Sequence, residues 1–272
     1  MKKKLTALFL AVAMCMTMSV PASAVSHETE LTDAVLLTLS AEDHENCYTY
    51  LLQYKEDNPD CSNEELDAVA EEFYISVYNE KASIAAPNSW YDDLIPGWSS
   101  LNEEERELGR QYPSDLAALY TSSGIANTET ESRYTAGFYL GNADAFRHAA
   151  WNALLICRFY ALGKGDYEWC RARAQEWTTA HESGAEVDTN LSAAQREADH
   201  DMDLMNNAVG RMAAETTYTS EAAALRQVQE YVDDGYCKRI MTDAQIRADY
   251  EYEDMIAVST WTIRTTNTVG KS

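Results

Sequence analysis

Gly141-Asn-Ala-Asp-Ala-Phe-Arg-His-Ala-Ala-Trp-Asn-Ala-Leu-Leu155 is the stretch that decides how this chain is read. It is rich in alanine, the strongest helix former, and Asn142 stands where an N-cap is expected. A rotation of about 100° per residue puts Asp144, Arg147, His148, Trp151, Asn152 and Leu155 on one face. Ala145, Phe146, Ala149, Ala150, Ala153 and Leu154 cover the other. A helix face turned to water ordinarily carries Lys and Glu. This one carries Asp, Arg, His, Trp and Asn, which need defined partners when they are buried.

On the C-terminal side, Leu162-Gly-Lys-Gly-Asp166 is a turn signal and leads into a second helix, from Tyr167 to about Glu182, that ends in His181-Glu182. Folded as an antiparallel hairpin, the turn lies midway between His148 and His181, so the two imidazoles stand at nearly the same height. A third helix holds Asp199-His-Asp-Met-Asp-Leu-Met-Asn-Asn-Ala-Val-Gly-Arg211. His200, Asp203, Asn207 and Arg211 share one face of it. Met202, Leu204, Met205, Ala208, Val209 and Met212 are expected to form the apolar one.

Helix starts recur along the chain. Ser62-x-x-Glu65, Asn102-x-x-Glu105, Ser192-x-x-Gln195 and Thr242-x-x-Gln245 are capping boxes or near variants. Only 11 Gly and 5 Pro interrupt 272 residues, so strand content should be low. The fold class predicted is all-α, a multi-helix bundle, with one strand-like piece at Val258 to Thr266. Residues 25–86 are expected to form a small N-terminal helical extension with Leu51, Leu52, Leu66, Val69, Phe73 and Val77 facing inward. The turn-rich segments Ala86-Pro87-Asn88-Ser89 and Ile95-Pro96-Gly97 connect it to a main domain over 90–266.

Residues 1–24 read as a signal peptide: Lys2, Lys3 and Lys4, an apolar run from Leu5 to about Val20, then Ala22-Ser23-Ala24. The run is too short for a retained span, so a secreted, extracellular protein with no transmembrane segment after cleavage is expected. The formal charge is −24, and the three leader lysines make the remainder more acidic still. Such a field repels phosphate backbones and excludes nucleic-acid binding through a basic groove. Cys47, Cys61, Cys157, Cys170 and Cys237 follow the leader, with no CxxC pair, so a structural zinc knuckle is not supported. Cys47–Cys61, across the turn at Asn58-Pro59, is a better disulfide candidate than Cys157–Cys170, whose geometry conflicts with a shared histidine site. Glu103, Glu104, Glu105 and Glu107 are expected to form an exposed helix start, and His27 and His44 to be solvated.

Asn142-x-Asp-Ala-Phe-Arg-His-Ala-x-Trp-Asn-Ala153, His181-Glu182 and Met202-Asp-Leu-x-Asn-Asn-x-x-Gly-Arg211 together resemble a domain-of-unknown-function family found in secreted and toxin-like proteins of mostly Gram-positive bacteria. The resemblance runs over roughly residues 95 to 215. It implies a domain and no reaction. Met205 departs from it, standing where the family carries His in Asp-Leu-His-Asn-Asn.

Three functions are open to these residues. In a metal-assisted hydrolase, His148, His181 and Asp203 would ligate zinc or manganese, with Glu182 or Asp144 as base. Arg147 or Arg211 would hold a phosphate or carboxylate of the substrate, and Asn207 lies on the same polar face. In a metal-free hydrolase, His148 and Asp203 would form an acid–base dyad. In a non-catalytic protein that binds a surface partner, Asp144, Arg147, His148, Asn152 and Asp203 would be a buried network that fixes helix packing, with Arg147 and Asp203 as an internal ion pair. Trp151 is expected to pack at the helix junction.

Overall fold

Ser40, Ser62, Asn102 and Ser192 each accept a hydrogen bond from the backbone N–H three residues on. The side chain there (Asp43, Glu65, Glu105 or Gln195) accepts in turn from the capping residue's own N–H. These reciprocal caps satisfy donors that a helix start leaves orphaned, and they set the boundaries of four helices. The computed structural model describes residues 31–84, 101–183, 192–241, 262–267 and 270–271. The leader, the 86–97 connection, His27 and the Thr242 cap lie outside them.

Among the described residues there are nine helices: α1 (Asp33–Leu36), α2 (Ala41–Asp57), α3 (Asn63–Ile84), α4 (Glu103–Gln111), α5 (Pro113–Arg133), α6 (Asn142–Ala161), α7 (Tyr167–Ser183), α8 (Ala193–Ala214) and α9 (Glu221–Asp233). The chain is an all-α bundle, and α6 is its axis. That helix packs against α5, α7, α8 and α9, and most of its residues are buried, including Phe146, Leu154, Leu155, Ile156 and Phe159. Alanine at 145, 149, 150 and 153 keeps α6 thin enough for neighbours on several sides.

The extension packs on the same core. Leu51 and Leu66 are fully buried, while Leu52, Val69, Phe73 and Val77 are partly so. His44, expected in solvent, is buried instead. Its Nδ1 meets the Tyr74 hydroxyl at 2.9 Å and its ring stacks on Tyr120, while burial pushes its pKa down to about 3.

Lys238–Met241 (β1) and Thr262–Thr265 (β2) pair antiparallel, Lys238 opposite Thr265 and Met241 opposite Thr262. The second strand falls within the expected strand-like piece; the first had no sequence signal. The pair braces the start of α6, since the Ile240 N–H donates to the Leu140 carbonyl at 2.8 Å. Asn142 is not the N-cap of α6. Gly141 takes that position, and Asn142 bonds Asn267 through both its amide and its carbonyl oxygen. Only glycine fits there, because a Cβ on Gly141 would lie 2.6 Å from Gly137 Cα.

All five described cysteines are thiols, so neither Cys47–Cys61 nor Cys157–Cys170 is bridged. Burial pushes Cys47, Cys157, Cys170 and Cys237 up to about 12, which leaves them protonated and inert. No described helix is long and apolar enough to cross a membrane.

Candidate functional site

His148 is buried on α6 one turn beyond Asp144, which is fixed by the backbone ahead of the helix. The Leu140 N–H donates to Asp144 Oδ2 at 2.7 Å, and the Asp144 N–H donates to the Gly137 carbonyl at 3.0 Å. Leu140 takes a left-handed φ of 61° to make this turn. A third group arrives from α8: Asp203 Oδ1 stands 3.4 Å from His148 Nε2, and Asp144 Oδ1 stands 3.7 Å from the same nitrogen. Ligand atoms of Asp144, His148 and Asp203 all fall within 4.8 Å of one another.

Arg147 closes the cluster. Its Nη2 donates to Asp144 Oδ1 at 2.5 Å and lies 2.9 Å from His148 Nε2. The expected Arg147–Asp203 pair is thus replaced by Arg147–Asp144, the shorter reach at i,i+3. A guanidinium can only donate, so Nε2 is the acceptor and the imidazole proton sits on Nδ1. That nitrogen is 3.6 Å from Glu182 Oε1. Burial, then the positive charges of Arg147 and His181, holds the His148 pKa well below its usual value, so the ring is neutral. Asp203 is pushed the other way, up to about 9, by burial and then by Glu182, Asp144 and Asp199. Its Oδ1 is buried without a hydrogen-bond partner among the described residues.

Behind the cluster runs a satisfied amide network. Asn152 Nδ2 donates to the His148 carbonyl at 3.1 Å and to Asn207 Oδ1 at 2.7 Å. Asn207 Nδ2 donates in turn to Glu182 Oε1 at 3.0 Å. Arg211 Nη1 donates to Asn152 Oδ1 at 2.8 Å, with Thr178 beside it. Burial pushes Arg211 down to about 10 and turns its guanidinium inward, away from the substrate-binding position the sequence suggests for it. Arg147, by contrast, keeps 37% of its side chain exposed.

His181 does not join His148. Its Nδ1 meets Glu105 Oε1 at 2.8 Å, and its ring stands edge-on to Trp151 at 5.2 Å. Glu105 takes the imidazole instead. Asp144, in place of His181, is the third member of the cluster with His148 and Asp203. Glu105, expected in an exposed helix start, is only 2% exposed. Its capping-box position was legible, but its burial depends on α7 packing over it. Asp199, pushed up to about 6 by burial and neighbouring carboxylates, is a further site group that the sequence did not single out.

The apolar face expected of α8 holds in part: Met202 is fully buried and Val209 packs against the core, but the outward positions differ from the expectation. Met205 and Met212 are 43% and 40% exposed, while Asn206, Asn207, Gly210 and Arg211 are buried. Histidine at 205 would therefore start from the outer side of α8, away from Asp144, His148 and Asp203.

These features define a helical protein with a carboxylate–imidazole cluster where α6 and α8 meet. Residues 107–236, which carry α5 to α9 and all three members of the cluster, match the family described as a domain of unknown function, DUF6973. Neither a curated protein nor a solved structure matches the chain.

Proposed function

We propose that Asp144, His148 and Asp203 hold a divalent cation, zinc or manganese, and that the protein is an exported hydrolase of a substrate bearing a phosphate or carboxylate. The observation that carries this is Asp203 Oδ1, a buried acceptor without a partner, aimed at a neutral imidazole and a second carboxylate. A buried acceptor left unpaired costs free energy that a cation would recover. One imidazole nitrogen and two carboxylate oxygens suit either metal, and the strongly acidic chain raises the local concentration of cations. A bound ion acidifies water to make a nucleophile at neutral pH.

The protein's own groups supply the remainder. Glu182, whose pKa is raised by burial, is oriented by Asn207 beside His148 and is placed to accept a proton. Arg147 is exposed enough to hold the anionic group of a substrate. Export rests on the leader-like first 24 residues alone.

The test is thermal melting of chelator-treated protein with added zinc or manganese chloride. Saturation at a hundred times Kd should stabilise the wild type by about 2.7 kcal/mol, and His148→Ala should abolish the gain. If neither ion moves the wild-type melting temperature, the metal reading is wrong. The Asn152–Asn207–Arg211–Thr178 network favours a second role for those four side chains, as the scaffold that fixes how α6, α7 and α8 pack.

A further inference from the structure

Glu105 is almost completely buried at the first turn of α4, and both of its carboxylate oxygens are engaged. Oε2 accepts the Asn102 N–H at 2.8 Å, and Oε1 meets His181 Nδ1 at 2.8 Å. The helix end that carries His181 is also clamped, since Asn102 Nδ2 donates to the carbonyls of Ala180 at 2.8 Å and His181 at 3.2 Å. Trp151 limits the ring from the side. One edge of the imidazole is thus fixed by a buried acid, while 43% of the side chain stays open to solvent. The next residue, Glu182, faces His148 Nδ1. Arg147 and His148 lie within electrostatic reach of His181.

We propose that Glu105 and His181 form a proton-transfer pair beside the cluster. Glu105 is the positioning residue that accepts the Nδ1–H, and His181 Nε2 is the atom that takes a proton from the water attacking a bound ester or amide carbonyl and delivers it to the alkoxide or amine that departs as the acyl bond breaks. A carboxylate that fixes one nitrogen makes the other more basic and aims it, which is how buried acids orient catalytic histidines in general. Burial alone would lower the His181 pKa. The Glu105 bond and charge, with Glu182, more than offset this and raise it. The use to which the proton is put rests on the hydrolase reading; the pair itself does not.

His200 provides a matched control within the same chain, with 44% of its side chain exposed and Asp201 no nearer than 3.9 Å. The experiment is carbethoxylation of the full chain with diethyl pyrocarbonate at a pH where both rings are neutral, followed residue by residue by mass spectrometry. The unprotonated imidazole nitrogen attacks a carbonyl and takes the ethoxycarbonyl group, releasing carbon dioxide and ethanol. His181 should react several-fold faster than His200, and Glu105→Gln should bring the two rates together. Glutamine keeps the capping box, so this variant is expected to fold. A His181 rate at or below that of His200, or a ratio unchanged by Glu105→Gln, overturns the pair.

Long-range proton–nitrogen NMR of wild-type protein adds a check that needs no variant. The neutral ring should carry its proton on Nδ1, and a proton on Nε2 also overturns the proposal. Neither measurement needs metal. A chain that ignores zinc and manganese but keeps a fast His181 would lose the metal hydrolase and retain the pair.

Discussion

Asp203 enters the folded protein with its carboxyl pushed up to about 9 from an ordinary 3.8, by burial first and then by the charges of Glu182, Asp144 and Asp199. Arg147 opposes them. Between those two values the native state binds more protons than the unfolded chain, so stability falls as pH rises through that window. Below it both states are protonated and nothing is lost. In chelator, Asp203→Asn should remove this component and exceed the wild type in stability at pH 8 by roughly 1–3 kcal/mol, the range for relieving a buried, uncompensated polar group. Melting curves across the window check this; parallel pH profiles for the two proteins would refute it. Added zinc or manganese should reverse the order, because the asparagine cannot supply a charged ligand.

Arg147 carries the second residue-scale prediction. Its N–H occupies the His148 Nε2 lone pair that a metal would use. Arg147→Gln should tighten zinc or manganese binding about five-fold, equivalent to ~1 kcal/mol for a half-exposed pair, as read by calorimetric titration. Unchanged or weaker binding would mean that the arginine does not compete. Asp144, His148 and Asp203 were legible in the sequence as polar groups at helical spacing. The partner of His181 was not, since Glu105 looks like any acidic residue in a first turn until another helix covers it.

At the scale of elements, the site depends on how closely α8 approaches α6. Gly210 sits where a Cβ would lie 2.1 Å from the Ala149 carbonyl oxygen and 2.8 Å from its Cα, all backbone that cannot step aside. Gly210→Ala should therefore force the helices apart and cost about 1–3 kcal/mol or more by overpacking, measured by urea unfolding. Cluster geometry should fail with it, because Asp203 and Asn207 ride on the same helix; a Gly210→Ala protein with wild-type stability would argue against this contact. The same close approach explains why the face of α8 was misread. Pattern reasoning sends methionines inward, and Met202 does turn in, but beside it the inner face of α8 carries Asn206, Asn207, Gly210 and Arg211, which the network and the short spacing require, and Met205 and Met212 are left outside. The starts of α7 and α8 were legible because turn and capping-box signals are local, whereas α6 begins one residue before its expected start. The strand at Lys238–Met241 was not, since its partner is distant in sequence.

For the whole molecule, the question is whether the family-matched segment stands without the helices before it. Lys164, in the α6–α7 turn, is 5% exposed and pairs with the fully buried Asp115 of α5, with Asp67 of α3 at 3.6 Å. Arg173 Nε and Trp177 Nε1 complete the shell around Asp115 Oδ2, at 3.4 Å and 3.1 Å. The Ser114 N–H donates to Asp67 at 3.1 Å, and Asn63 Nδ2 donates to the Lys164 carbonyl at 2.9 Å. One buried charge cluster therefore ties α3 to α5, α6 and α7. Removing Lys164 alone leaves Asp115 with less compensation in a dry site, and Lys164→Ala should destabilise the protein by about 3–5 kcal/mol. Deleting α1 to α3 removes Asp67 as well and bares the surface of α5 on which α2 and α3 rest. A chain of residues 101–272 should then lose cooperative unfolding in urea, whereas the full chain should show a single transition. An unchanged midpoint for the shortened chain would show that the extension is dispensable and that the charge cluster is carried by α5 to α7 without it.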